Sequence, residues 1–519
     1  MSVPLFGSHR PPGRAGKCDR HLPQLAQELE QLLTMAEDSL AFSTLRLPGD
    51  DREELAGVLA EFAEDVRNGI GIWDSLEQHN IEFFGTRLPL VLRPGEDTDQ
   101  RPVNEHRLQH LLWVMYSELK PELLLSPTHQ DLKLMAATVS TFLRKRFAGI
   151  PRGSAVKAFL GGPNTYGWEV KRKLIWLGTH SYLFRSSFLN YVEKHGKKPE
   201  VPIVDDFLCQ QTTAWSGLGA IDILAGVLDI TPEQRATLRG WFDRHTAIYQ
   251  VLAVDGLLMK VVNKICDKPY TVRRGNGTNP FEIGQVVLGS LVPWNGEWYW
   301  SGQQWGVGKM PEDQLQKMKD SFLKDSPLIA YRYCDELAEK ARASLNLNCR
   351  RFLDYHGDDL AVYPDGVAMA GDRQKEMRLQ WESHPPEVVA KAMDKFKLPN
   401  PWPSASYPQS LLESKNGVGV YCNTDEGDEV MTGFNDIISG LKKRGAGLTR
   451  DEQEAIREFV GSDSISPAFV RRMVREYGHE SIEAAFLIRG ESQDYHLDYL
   501  LRQHKGEYYR KRYPRITLV

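Results

Sequence analysis

The feature that most constrains this chain is a single β-rich island, AIYQVLAVDGLLMKVVNKICDKPYTVRRGNGTNPFEIGQVVLGSLVPWNGEWYWSGQQW from Ala247 to Trp305, set between long stretches of helical spacing. Asp255-Gly256 and Asn295-Gly296 each stand between β-branched or aromatic runs, and both pairs tolerate the positive φ angles of a two-residue hairpin turn. Short strands are expected at 248–254, 257–265, 270–273, 285–292 and 297–303. That is enough to curl into a small five-stranded barrel, SH3-like or OB-like, that hides its own edges.

The flanks read as helix, so the fold class is mainly α. Residues 1–17 carry Pro-Pro-Gly and basic residues and are expected as a disordered arm. Residues 18–246 read as an α-helical domain, beginning with Leu22, Leu25, Leu29, Leu32 and Leu33 at helical spacing. Val170, Leu174, Leu177, Phe184, Phe188 and Val192 predict one long helix ended by Gly196, and Thr231-Pro232-Glu233-Gln234 is a capping box opening the last helix before the barrel at 247–305. Residues 306–416 read as a helical and α+β connector, with a long helix over 328–354, a short strand at 360–363 and a loop at 399–408. Residues 417–519 read as a C-terminal helical domain with a basic tail.

With 41% hydrophobic and 26% charged residues, the 519-residue chain has ample material for several cores, and its formal net charge of -5 offers no global attraction to nucleic acid or anionic membrane. No apolar run reaches bilayer length and no signal-like segment opens the chain, so a cytoplasmic protein without membrane contact is expected. Cys18, Cys209, Cys266, Cys334, Cys349 and Cys422 form no CxxC pair, from which we expect reduced thiols, no disulfide and no structural metal.

The catalytic motifs are missing: there is no GxSxG elbow, no GxxxxGK[ST], and no GxGxxG between a strand and a helix, so ATP use and cofactor binding are not expected. His106 and His110 have metal-sharing spacing, but Glu105 precedes the pair and no third ligand presents itself, leaving an ordinary surface pair. The acidic run from Asn423 to Glu429 falls out of calcium-loop register and reads as an acidic helix cap. His356, Asp358 and Asp359 form the one cluster suited to acid-base or divalent-metal chemistry. For binding, Trp294 and Tyr299 beside Arg273 and Arg274 could stack bases or grip a peptide on the barrel edge, while Trp298 and Trp300, sharing the opposite face, are expected inside the barrel or at its seam with a helical domain. The tail KGEYYRKRYPR interleaves Arg510, Lys511, Arg512 and Arg515 with tyrosines, a composition suited to a nucleic-acid backbone.

The segments FAEDVRNGIGIWDSLEQHNIEFFG from Phe62, EIGQVVLGSLVPWNGEWYWSGQ from Glu282, GVGVYCNTDEG from Gly417 and KGEYYRKRYP from Lys505 give the chain its family likeness: it resembles a large bacterial family of uncharacterised proteins with no assigned activity. The resemblance implies a bacterial origin and a helix, barrel, helix architecture, and carries no catalytic residues. The reading that follows is a non-enzymatic interaction protein that engages a protein or nucleic-acid partner through the barrel edge and basic tail. The alternative is a divalent-metal-dependent hydrolase or nuclease using His356, Asp358 and Asp359. Oligomeric state is left open.

Overall fold

In the computed structural model, which describes residues 9–39, 45–96, 99–196, 198–275, 281–396, 405–489 and 493–516, the chain forms two units. The first comprises Met1–Asp320 with Leu487–Arg510, the second Ser321–Phe486 with Lys511–Val519.

The first unit begins as helices, because its apolar residues recur at three- and four-residue intervals and its ends carry capping groups. Asn104 caps Glu105–Leu119 by accepting from Arg107 N, Ser154 caps Ala155–Leu160, and Thr231 forms the expected capping box on Pro232–Arg239. The apolar faces converge on one core in which Trp73, Trp215, Trp241 and Trp294 are fully buried. Two expectations are corrected here. The long helix over Val170 to Val192 is two helices, Gly167–His180 and Arg185–His195, turned at Ser181, whose backbone is extended. Arg185 explains the turn: its guanidinium donates to the His180 carbonyl and pairs with Glu54 and Glu61, each at 2.9 Å. Part of the segment expected as an arm is also tied into the fold. Residues 1–8 lie outside the described residues, but Arg10 donates to Asp19 and Glu64 at 2.8 Å and the His9 carbonyl accepts the Trp176 indole N–H. Asp19 and Glu64 are buried carboxylates that need a countercharge, and Arg10 supplies it.

The barrel closes in the order β1-β2-β3-β5-β4, with β1 Ala247–Asp255, β2 Leu258–Asn263, β3 Lys268–Arg273, β4 Gln285–Trp294 and β5 Glu297–Lys309. β1 pairs antiparallel with both β2 and β4, while β3 meets β5 in parallel. Of the two barrel types expected, this Greek-key closure is the OB-like one. Asn295 and Gly296 both have positive φ and join Trp294 to Glu297, as the turn chemistry requires. The β1–β2 loop sits one residue later than expected: Asp255 pairs with Leu258, so Gly256 and Leu257 form the loop.

The second unit holds the antiparallel sheet β6-β7-β8, formed by Leu360–Tyr363, Val418–Asn423 and Gly427–Thr432. Val418, Val420 and Cys422 of β7 pack with Leu345, Cys349 and Phe352 of the helix Asp335–His356. Cys349 and Cys422 are joined as a disulfide with Cα atoms 5.8 Å apart, which corrects the expectation of none. At a sequence separation of 73, spacing gives no sign of the pair. The long helix expected over 328–354 is broken at Cys334, between Pro327–Tyr333 and Asp335–His356. The acidic run after Cys422 is the β7–β8 hairpin turn and not a helix cap: Asn423 is buried and donates to Glu429 and to Ser466. The part of the 399–408 loop at 399–404 lies outside the described residues.

Candidate functional site at the barrel seam

β3 and β5 are registered only at Val272 and Trp298, whereas β5 continues to Lys309 along β4. The barrel wall is therefore open beyond that bridge, and a cavity of about 540 Å³ lies there, lined by Trp168, Met259, Arg273, Arg274, Phe281, Tyr299, Trp300 and Gln304 among others. Glycines keep the approach clear. A Cβ at Gly289 would stand 2.8 Å from the Trp300 ring, so the absence of a side chain there lets that ring approach the β4 backbone closely.

The two arginines differ. Arg273 forms a two-pronged ion pair with Glu297 and lies over the Tyr166 ring, and Glu297 also accepts the Tyr299 hydroxyl at 3.0 Å. Hydrogen bonds from Arg273, opposed by burial and aided by Tyr299, hold the Glu297 carboxyl below its usual range. Arg274 has only the Gly256 carbonyl at 3.1 Å and faces no carboxylate among the described residues, so it carries the uncompensated charge of the rim. Trp300 packs edge-on to Tyr249 and Phe281, and its indole N–H has no hydrogen-bond partner among the described residues.

The aromatic assignments divide. Trp294 is 0% exposed, gives its indole N–H to the Asn164 carbonyl at 2.8 Å and meets Trp241 edge-on, so it is not a contact surface. Tyr299 is 3% exposed, wedged against Gly167 and edge-on to Trp168, and touches the cavity only from its wall. Both hold the barrel to the helices. Trp298 and Trp300 are half-buried, edge-on to Tyr270 and Tyr249, and Trp300 lines the cavity.

The basic tail is spoken for inside the fold. Arg510 donates to the carbonyls of Gln210 and Gln211, faces Asp222 and lies 3.6 Å from the Phe242 ring centre. In the second unit Arg512 and Arg515 both hold Glu426, and Lys511 lies over the Tyr513 ring. A free basic arm is thus corrected to a structural strap, because nearly buried Asp222 and Glu426 need these cations.

The second cluster also rearranges. Asp358 and Asp359 both bind Arg472, at 3.2 and 2.8 Å, together with Glu476, which makes them an ion network rather than partners of His356. His356 faces buried Glu376 at 3.7 Å among Phe352, Tyr355 and Tyr363. Among the described residues no group of three or more His, Cys, Asp or Glu side chains is placed to hold a metal ion. His110, expected on the surface beside His106, is buried among Trp73, Trp113 and Trp215, and burial lowers its pKa to about 4.

Spacing missed Trp168, Phe281 and Gln304 at the seam and Glu376 beside His356, since the fold brings them in from other elements. Glu297 could have been found: two residues before Tyr299, it shares a strand face with that residue.

Residues 13–213 match the family described as Protein of unknown function (DUF3843). The matched segment covers less than half of the chain and ends before β1, so the barrel strands lie outside it while Trp168 of the cavity wall lies within it. Neither a curated protein nor a solved structure matches the chain. No helix among the described residues is long and apolar enough to cross a membrane.

Proposed function

We propose that this chain is a non-enzymatic interaction protein whose partner is single-stranded nucleic acid, gripped at the open β3–β5 seam. The single observation that carries the reading is the joint placement of uncompensated Arg274 with the aromatic faces of Trp300 and Phe281 at one cavity in the barrel wall. Bases stack on such rings whatever their sequence, and a guanidinium at the rim suits the phosphate backbone.

The test is anisotropy of labelled oligodeoxynucleotides and oligoribonucleotides across a salt series. Wild type binds with salt-dependent affinity. Arg274→Gln lowers the slope of log affinity against log salt by roughly one, and Phe281→Ala costs ~1–3 kcal/mol, as for loss of one stacked base. Absence of binding at low salt, or an unchanged Arg274→Gln, Phe281→Ala double variant, overturns the reading. A nuclease-resistant protein captured on the same surface replaces it with a protein partner.

A further inference from the structure

The first unit has a second recess that the seam reading does not use. It runs between the helices Ile72–Phe84, Ala220–Val227 and Pro232–Arg239 and the segment 502–510, as a wider groove of about 490 Å³ and a narrower chamber of about 180 Å³. The two are continuous, since His79, Glu82, Leu218, Asp222 and Arg239 line both.

Its charges are arranged unequally. Asp222 is already satisfied: it accepts from Gly219 N at 2.8 Å and faces Arg510 at 3.6 Å. Arg502 is held flat between the rings of Phe83 and Tyr509, 4.0 and 4.1 Å from their centres, with only its Nε committed, to Asp498 at 2.9 Å. Its two terminal nitrogens make no hydrogen bond among the described residues. The side chains of Arg235 and Arg239, one turn apart at the mouth, have no ion pair or hydrogen bond among the described residues either. On the facing helix Asp74, Gln78 and Glu82 follow one another at four-residue spacing and present oxygen acceptors to the wider groove.

His79 reports the field in the chamber. It stacks on Phe83, and its pKa is lowered to about 3 by burial first and then by the charges of Arg502 and Arg239. Burial and the two guanidiniums thus both favour the neutral imidazole at that point.

We propose that this recess binds a phosphate monoester of a small hydroxylated molecule, with the phosphate between Arg239 and Arg502 and the hydroxyl-bearing part along Asp74, Gln78 and Glu82. A guanidinium offers paired N–H donors at the spacing of phosphate oxygens, and one clamped between two rings loses little freedom on binding. The groove is of the size that small-molecule sites occupy, and carboxylates on its far wall suit sugar hydroxyls better than a second anion. The inference stands apart from the seam reading: different residues carry it and neither requires the other.

The test follows the His79 ring signals by NMR, assigned through His79→Gln, in pH titrations with and without ribose 5-phosphate, inorganic phosphate, sulfate and ribose. Bound phosphate offsets the two neighbouring charges, so with ribose 5-phosphate the His79 pKa moves up toward the ordinary imidazole range. Calorimetry is expected to show ribose 5-phosphate binding more tightly than inorganic phosphate. Arg239→Gln should weaken ribose 5-phosphate on the order of tenfold or more, with Arg239→Lys, which keeps the charge but loses the fork, falling between. Arg239→Gln should leave oligonucleotide affinity unchanged, and Arg274→Gln should leave the His79 shift unchanged, so the two readings fail separately. An equal response to sulfate, an equal response to unphosphorylated ribose, or no response at millimolar ligand each overturns the assignment. Should Arg239→Gln fail to fold, the wild-type ligand series decides alone.

Discussion

Arg273 and Arg274 are neighbours in sequence and opposites in role. The first is consumed by Glu297 and the Tyr166 ring, and the second is left facing the cavity. Substituting Arg273 is therefore expected to disturb the seam only slightly, as for a largely solvated ion pair, with little change in the salt dependence of binding. Buried carboxyls make a different prediction at this scale. Burial raises Glu118 to about 7, partly countered by the Ser187 hydroxyl, and raises Asp65 to about 6 against the backbone amides it accepts from. A folded-state pKa above the unfolded one means the folded chain holds its proton where the unfolded chain has released it. Stability of the first unit should accordingly fall as pH rises from about 4 through 7, with no further loss from these groups above that. Thermal melts across that range in wild type and Glu118→Gln check it. The variant should lose the upper part of the slope, and a slope identical to wild type contradicts the assignment.

Among the elements, the barrel strands were legible in the sequence because their signals are local: alternation, and turns that demand positive φ at Asn295 and Gly296. The strand order was not, since the parallel β3–β5 contact depends on closure rather than on any short motif. Breaks in helices were likewise hidden at Ser181 and Cys334, where apolar spacing runs on across the interruption. One tight point in the union of barrel and helices is at Gly167. A Cβ on Gly167 would stand 2.7 Å from the Tyr299 ring, whose edge also meets Trp168. Gly167→Ala should cost ~1–3 kcal/mol by overpacking and lower oligonucleotide affinity by tilting the cavity wall, whereas Gly256→Leu is not expected to clash, only to strain a turn with φ of 54°. Melting curves and anisotropy on Gly167→Ala read both effects, and a neutral result on both denies that this contact positions the seam.

At the level of the whole molecule, the candidate chemistry was only partly legible. Arginine and aromatic composition pointed to the barrel edge, yet the countercharges that tie up Arg510, Arg512 and Arg515 sit 86 to 288 positions away and cannot be counted from a sequence. The same distance concealed the Cys349–Cys422 bond. That bond predicts a divided response to reductant: the second unit should lose ~2–4 kcal/mol, read by hydrogen exchange in Val418–Asn423, while exchange in the barrel strands stays as it was. Uniform loosening, or none, would refute this. Finally, each unit takes part of its structure from late in the chain. The first needs Tyr499, Leu500 and Leu501, and the second needs Tyr513, which lies under Arg332. At about 5–20 residues per second of synthesis, the roughly 170 residues between Asp320 and the start of the helix Asp494–Lys505 take of order ten to thirty-five seconds to make. For that interval on the ribosome the apolar surface that Tyr499 will cover stands exposed, so newborn chains should be more vulnerable to protease and more dependent on chaperones than finished ones.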